Sequence, residues 1–154
     1  MKNLLVLFGG VSPEHEVSLR SAEFVLGHID QSKYNVYAVG ITKEGKWKYY
    51  PSQDYAAIRE NHWQEAEGVC DAELSPSRGQ GLLILKPQGL EIVPMDCCFP
   101  VLHGENGEDG SIQGLMQVAG VPCVGPGVTA SASCMDKTMT KLVVGETGVR
   151  QANW

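Results

Sequence analysis

Near its N-terminus the chain runs Leu4-Leu5-Val6-Leu7-Phe8 and then breaks at Gly9-Gly10. Apolar residues in unbroken succession describe a strand covered on both faces, and such strands belong to parallel sheets flanked by helices. Val11-Ser12-Pro13-Glu14 follows, where Ser12 suits an N-cap and Pro13 the first helical position. Val17, Ser21, Val25 and Ile29 recur at intervals of four, with Ala22 and Leu26 beside them. They mark one face of a helix from about Pro13 to Ile29. Strand, glycine turn and helix open a βαβ unit, so the predicted class is α/β with an open parallel sheet.

Further elements follow the same logic. Asn35–Ile41 alternates as a second strand, and Thr42–Tyr50 reads as a turn at Glu44-Gly45 leading into a short strand. Asp54–Glu65 is polar and is predicted as a helical surface segment. Leu82–Leu85 and Leu90–Val93 flank Pro87-Gln88-Gly89, the pattern of an edge hairpin. Met95–Leu102 is apolar and is expected as a central strand interrupted by Pro100. Beyond the loop His103–Gly110, the residues Ile112, Leu115, Met116 and Ala119 mark a helix that Gly120 stops. Val121–Gly125 is read as a short strand, with helical pieces at Val128–Ser133 and Lys137–Glu146.

Charge and composition narrow the function. The net charge is −6, against the basic stripe that nucleic-acid binding requires. The longest uncharged stretch, Gly110–Met135, holds five glycines, two prolines and two glutamines, so no membrane span is expected. No secretory signal is visible, and the five cysteines lack a C-x-x-C spacing. Reduced, mostly buried thiols in a cytoplasmic protein are the expectation, with no metal site built from them.

Two loops follow the two most apolar strands, at Gly9–Glu14 and His103–Gly110. In an open parallel sheet, ligands gather beyond the carboxyl ends of the strands. If the strands are parallel neighbours, Glu14, His103, Glu108 and Asp109 converge on one crevice. Each loop also starts a helix, where N–H groups favour an anion. A carboxylate for an ammonium, with His103 or helix N–H groups for a carboxylate, suits an amino acid better than a bare phosphate. Asp109 is placed to cap the helix that begins near Gly110. The glycine turn is not G-x-G-x-x-G, and Lys137 follows no glycine loop, so neither nucleotide motif is present.

Taken in order, the motifs carry a resemblance. Leu7-Phe8-Gly9-Gly10-Val11-Ser12-Pro13-Glu14-His15-Glu16-Val17-Ser18 is similar to the opening signature of D-alanine–D-alanine ligases. Phe99-Pro100-Val101-Leu102-His103-Gly104-Glu105-Asn106-Gly107-Glu108-Asp109-Gly110-Ser111-Ile112-Gln113-Gly114 resembles their second signature. Val124-Gly125 through Ser131-Ala132-Ser133-Cys134-Met135-Asp136-Lys137 resembles the start of their ATP-binding region. The segment with Ile41-Thr42 and Trp47 is also similar to the vancomycin-resistance ligases that make D-Ala–D-Ser.

The resemblance implies a Rossmann-like, pre-ATP-grasp domain over residues 1–126 and the first helical part of an ATP-grasp domain over 127–154. It implies an ATP- and magnesium-dependent ligase of peptidoglycan synthesis in the bacterial cytoplasm, a homodimer joined largely through this domain. By position, Glu14 would bind the ammonium of the first D-alanine and Val17 would line its methyl pocket. His103 would lie near its carboxylate, and Lys137 would reach an ATP phosphate. Glu108 and Asp109 would shape their loop. The family's glycine/serine-rich phosphate loop, later lysines, arginine and magnesium ligands have no counterpart in these residues, so the polypeptide alone is expected to be inactive. The alternatives are a non-catalytic amino-acid-binding module and a dimerisation module.

Overall fold

The computed structural model describes residues 1–152; Asn153 and Trp154, the end of the expected second part, lie outside them. The first strand, β1 (Lys2–Gly9), is followed by helix α1 (His15–His28) and strand β2 (Tyr34–Ile41). β1 and β2 pair in parallel from Lys2↔Tyr34 to Gly9↔Ile41. This is the expected βαβ unit, with a helix between two parallel neighbours. From Leu4 to Phe8 β1 is apolar because both its faces are covered there. Leu5 and Leu7 enter one core, and Leu4, Val6 and Phe8 enter the other.

Strand β3 (Trp47–Tyr50) pairs antiparallel with β2. Helix α2 (Tyr55–Arg59) and a single 3₁₀ turn at Trp63–Glu65 come next. Strands β4 (Cys70–Leu74), β5 (Leu82–Lys86) and β6 (Gly89–Val93) extend the sheet, each antiparallel to the last. Strand β7 (Cys97–Pro100) returns to the far side of β1 and pairs with it in parallel. The seven-stranded order is β6-β5-β4-β3-β2-β1-β7. Helices α3 (Ser111–Ala119), α4 (Val128–Met135) and α5 (Lys137–Gly145) complete the described chain.

The α/β class therefore holds, and its parallel part is β2-β1-β7. The β2–β3, β4–β5 and β5–β6 connections are too short for crossovers, so those pairs are antiparallel. β4 also pairs antiparallel with β3, although the connection between them is long and carries α2. The edge hairpin is found where its turn residues put it. β4 is an addition that the sequence did not announce.

Three expectations need correction. The strand at Met95–Leu102 is shorter, Cys97–Pro100, and stands at the end of the ladder rather than in its centre. Pro100 supplies no N–H for a further ladder bond, which suits it to such a position. Val121–Gly125 makes one parallel bridge, Cys98↔Cys123, instead of a strand. Pro122 and Pro126, which lack N–H donors, interrupt the pairing. The segment Asp54–Glu65 is not a surface helix throughout. Asn61 takes a left-handed backbone, φ 62, and turns the chain inward. Ile58 and Trp63, the segment's large apolar side chains, are fully buried under the sheet. Trp63 packs edge-to-face on Phe8, with centroids 5.0 Å apart. Such a pair contributes about 0.5–1.5 kcal/mol beyond the area it buries.

The cysteines are all free. Only Cys98 is fully buried, three are half-buried and Cys134 is exposed, so the expectation of mostly buried thiols is met only in part. Among the described residues no helix is long and apolar enough to cross a membrane.

Candidate functional site

The parallel register puts the ends of β1, β2 and β7 on one rim. Gly9 lies opposite Ile41, and the Gly10 N–H donates to the Ile41 carbonyl at 2.8 Å. On the other side, Val101 N–H donates to the Leu7 carbonyl at 2.7 Å. The loop after β1 and the loop after β7 are thus neighbours. Gly9 has φ 85, and a Cβ there would stand 2.3 Å from the Ile41 carbonyl oxygen. The glycine is required both by its backbone and by the close approach of β2.

Helix α1 fastens the two loops together. Ser18 Oγ accepts the Gly9 N–H at 2.8 Å and donates to the Val101 carbonyl. His15 is 1% exposed, and its Nδ1 lies 2.6 Å from the Gly10 carbonyl, which makes Nδ1 the protonated nitrogen. Ser12 Oγ accepts the Glu14 N–H at 3.1 Å, so the first turn is tied by its serine although the regular helix begins at His15. Pro13 lies in the turn before that helix rather than inside it.

This frame brings Glu14 to the second loop. A Cβ on Gly104 would stand 3.0 Å from Glu14 Oε1 and 2.6 Å from Ser12 Oγ. His103, the residue before Gly104, contacts the same helix, with Nε2 3.1 Å from Ser21 Oγ. Glu14, Val17 and Ser21 are spaced three and four apart, which puts them on one stripe of α1. Val17 is 45% exposed there, between the carboxylate and the histidine's partner. Lys137 opens α5 and is exposed. Of Glu14, Val17, His103 and Lys137, only His103 lines the cavity that opens between the two loops.

The acidic loop is self-bonded. Glu108 Oε2 accepts the Gly104 N–H at 2.7 Å. Asp109 accepts from Asn106 N–H at 2.8 Å and Ser111 N–H at 2.9 Å. Burial alone would raise the Asp109 carboxyl, but those donors outweigh it and hold it below the usual carboxylate range. Asp109 therefore does cap the start of α3, one position outside the Gly110 N-cap. It also occupies the Ser111 N–H, so that group is not open to a ligand.

Beside His103, a cavity of about 250 Å³ opens between the two loops, the β2–β3 turn and the start of α3. Its walls include Gly10, Val11, Trp47, His103, Ile112 and Leu115. Such a crevice at the carboxyl end of a parallel sheet, where the chain leaves β1 in two directions, is where open α/β sheets bind ligands.

A family model described as D-ala D-ala ligase N-terminus matches residues 3–126. The chain belongs to the D-alanine–D-alanine ligase family. It is 44% identical over 148 residues to the D-alanine–D-alanine ligase of Thermoanaerobacter sp. strain X514, covering 96% of this chain and 41% of that protein. To the Clostridium novyi ligase it is 46% identical over 156 residues, covering 99% of this chain and 41% of the relative. The VanG D-Ala:D-Ser ligase of Enterococcus faecalis superposes with a TM-score of 0.88 at 39% identity, over 96% of this chain and 42% of that one. The residues of this ligase-family chain thus span about two-fifths of the length of the relatives they match.

Sequence reasoning had not singled out Ser18, Ser12 or His15 as the fasteners of this site. A signal existed for Ser18: a small polar residue on the apolar stripe of a helix that must cross both loops needs a backbone partner. His15 gave no such signal, because its tie to Gly10 depends on the left-handed turn at the glycine pair.

Proposed function

We propose that residues 1–126 hold the first D-alanine of a D-alanine–D-alanine ligase, and that residues 127–154 begin its ATP-grasp part. In the reaction proposed for the whole protein, the carboxylate of one D-alanine takes a phosphoryl group from ATP. The amine of a second then attacks the acyl phosphate to give the dipeptide of peptidoglycan synthesis. The carrying observation is the approach of the Glu14 carboxylate to the His103-Gly104 backbone, with His103 held by Ser21 of the same helix.

Glu14 binds the ammonium by a charge-assisted hydrogen bond, Val17 lies against the methyl group, and His103 faces the carboxylate. Lys137 reaches an ATP phosphate in the whole ligase. Among the described residues no group of three or more His, Cys, Asp or Glu side chains is placed to hold a metal ion. The described residues therefore offer no magnesium site. Phosphoryl transfer depends on positioned cations and metal, so residues 1–154 by themselves bind without turnover. The whole protein acts in the cytoplasm as a homodimer.

Calorimetric titration of D-alanine into the protein tests the assignment. Glu14→Gln should weaken binding by about ten- to a hundredfold, the loss of a hydrogen bond to a charged group of ~1.5–3 kcal/mol. Undiminished binding by that variant would sink the reading.

A further inference from the structure

The proposed reaction leaves the cysteines unused, yet two of them stand opposite each other at the end of the sheet. Cys98 is fully buried on β7, and Cys123 faces it across the single parallel bridge. Two backbone hydrogen bonds fix the register. Cys98 N–H donates to the Pro122 carbonyl at 2.7 Å, and Val124 N–H donates to the Cys98 carbonyl at 2.8 Å. Directly opposed residues send their side chains to the same face. Neighbouring strands lie about 4.8 Å apart, within the roughly 4.4–6.8 Å between α-carbons that a disulfide spans. Both thiols belong to the core on the α3 side, Cys98 inside it and half-buried Cys123 against it. Cys97, next in sequence, packs on the opposite face.

We propose that Cys98 and Cys123 are an oxidative modification site, in which a peroxide converts the two thiols into a disulfide that clamps the α3–α4 connection to β7. Cys123 is the more accessible of the two and reacts first. Its thiolate attacks one peroxide oxygen, the O–O bond breaks, and the other oxygen leaves as water after protonation. Cys123 is then a sulfenic acid. The Cys98 sulfur displaces its hydroxyl, which departs as water with the Cys98 proton. One peroxide is reduced to two waters while two thiols are oxidised to one disulfide.

The contact between the thiols favours this order. A hydrogen bond from the Cys98 thiol holds Cys123 below the ordinary thiol range, while the same bond and burial push Cys98 well above it. Residues 121–125 make no ladder beyond the one bridge, so they can yield the small approach that a disulfide needs.

The test is hydrogen peroxide treatment of the whole protein, alkylation under denaturing conditions, and peptide mapping with a glutamyl endopeptidase. Cleavage after Glu91, Glu105 and Glu108 separates Cys97 and Cys98 from Cys123. The expected result is a cross-linked peptide pair, lighter by two hydrogens and parted by a dithiol. Cross-linking should persist in Cys97→Ser and Cys134→Ser and vanish in Cys123→Ser. Cross-linking that survives Cys123→Ser overturns the proposal. So does oxidation confined to exposed Cys134, or a cross-link that Cys97→Ser removes. Cys98→Ala is expected to leave Cys123 as a sulfenic acid trapped by dimedone; absence of that adduct in a folded variant counts against the sequence of steps.

Discussion

Ser18 joins the two halves of the site, because one buried hydroxyl serves the loop after β1 and the loop after β7 together. Ser18→Ala leaves the Gly9 N–H and the Val101 carbonyl without their partner. Each buried group left unpaired costs about 1–3 kcal/mol, so a fall in unfolding free energy of that order should appear in a urea titration. Gly104 is constrained differently. Its φ is 69, and an added methyl would press on Ser12 Oγ and the Glu14 carboxylate. Gly104→Ala should therefore weaken D-alanine binding in calorimetry while its melting temperature falls only a few degrees.

Asp109 gives the loop a pH dependence whose sign follows from its partners. Its folded carboxyl is held below the usual range, so it stabilises the loop above the unfolded carboxylate pKa. That contribution is lost as pH falls through the lower, folded value. Asp109→Asn should flatten the acid limb of a melting-temperature profile and lower stability at neutral pH by about 1 kcal/mol, because an amide keeps only one of the two accepting oxygens. An unchanged acid limb would show that other carboxylates govern it.

Among the elements, α1 is both core and instrument. Leu19, Ala22 and Leu26 anchor it on the sheet, while Glu14, Val17 and Ser21 follow the site-facing stripe. Its apolar face fixes where its polar stripe points, so the site's geometry is inherited from packing. The segment from α2 to the 3₁₀ turn matters for the opposite reason. It contributes Trp63, which fills the space left by Gly40: a Cβ on that glycine would stand 2.4 Å from the indole ring. Gly40→Ala should cost about 1–3 kcal/mol by overpacking, measurable as a shifted denaturation midpoint with an unchanged slope. Trp63→Ala should cost about 3–5 kcal/mol by cavity formation. The indole Nε1 has no hydrogen-bond partner among the described residues, which makes Trp63→Phe less costly than its volume suggests.

At the scale of the molecule, the parallel strands make the binding rim and the antiparallel extension gives the sheet its width. α5 follows with Met139, Leu142 and Val143 all about half exposed, and no residue of it is buried. The proposed boundary near residue 126 falls at Gly125-Pro126-Gly127, which is exposed. Brief proteolysis should open the chain there before it opens any strand from β1 to β7, and the product ending near 126 should keep its response to D-alanine. First cleavage within the edge hairpin would contradict that division.

Most of the elements, though not β4, were legible in the chain itself. An apolar run ending in two glycines, a four-residue spacing and a turn between two short apolar stretches report local conformation and burial, and each was found where it was read. Glu14 and His103 were nameable for the same reason, since each follows a strand end. What sequence did not contain was contact between distant residues. That β3 to β6 run antiparallel, that Trp63 turns inward, that Ser18 bridges two loops and that Asp109 takes the Ser111 N–H depend on which surfaces meet when the sheet closes. Local patterning determines what a segment can bury; only tertiary packing decides what it is buried against.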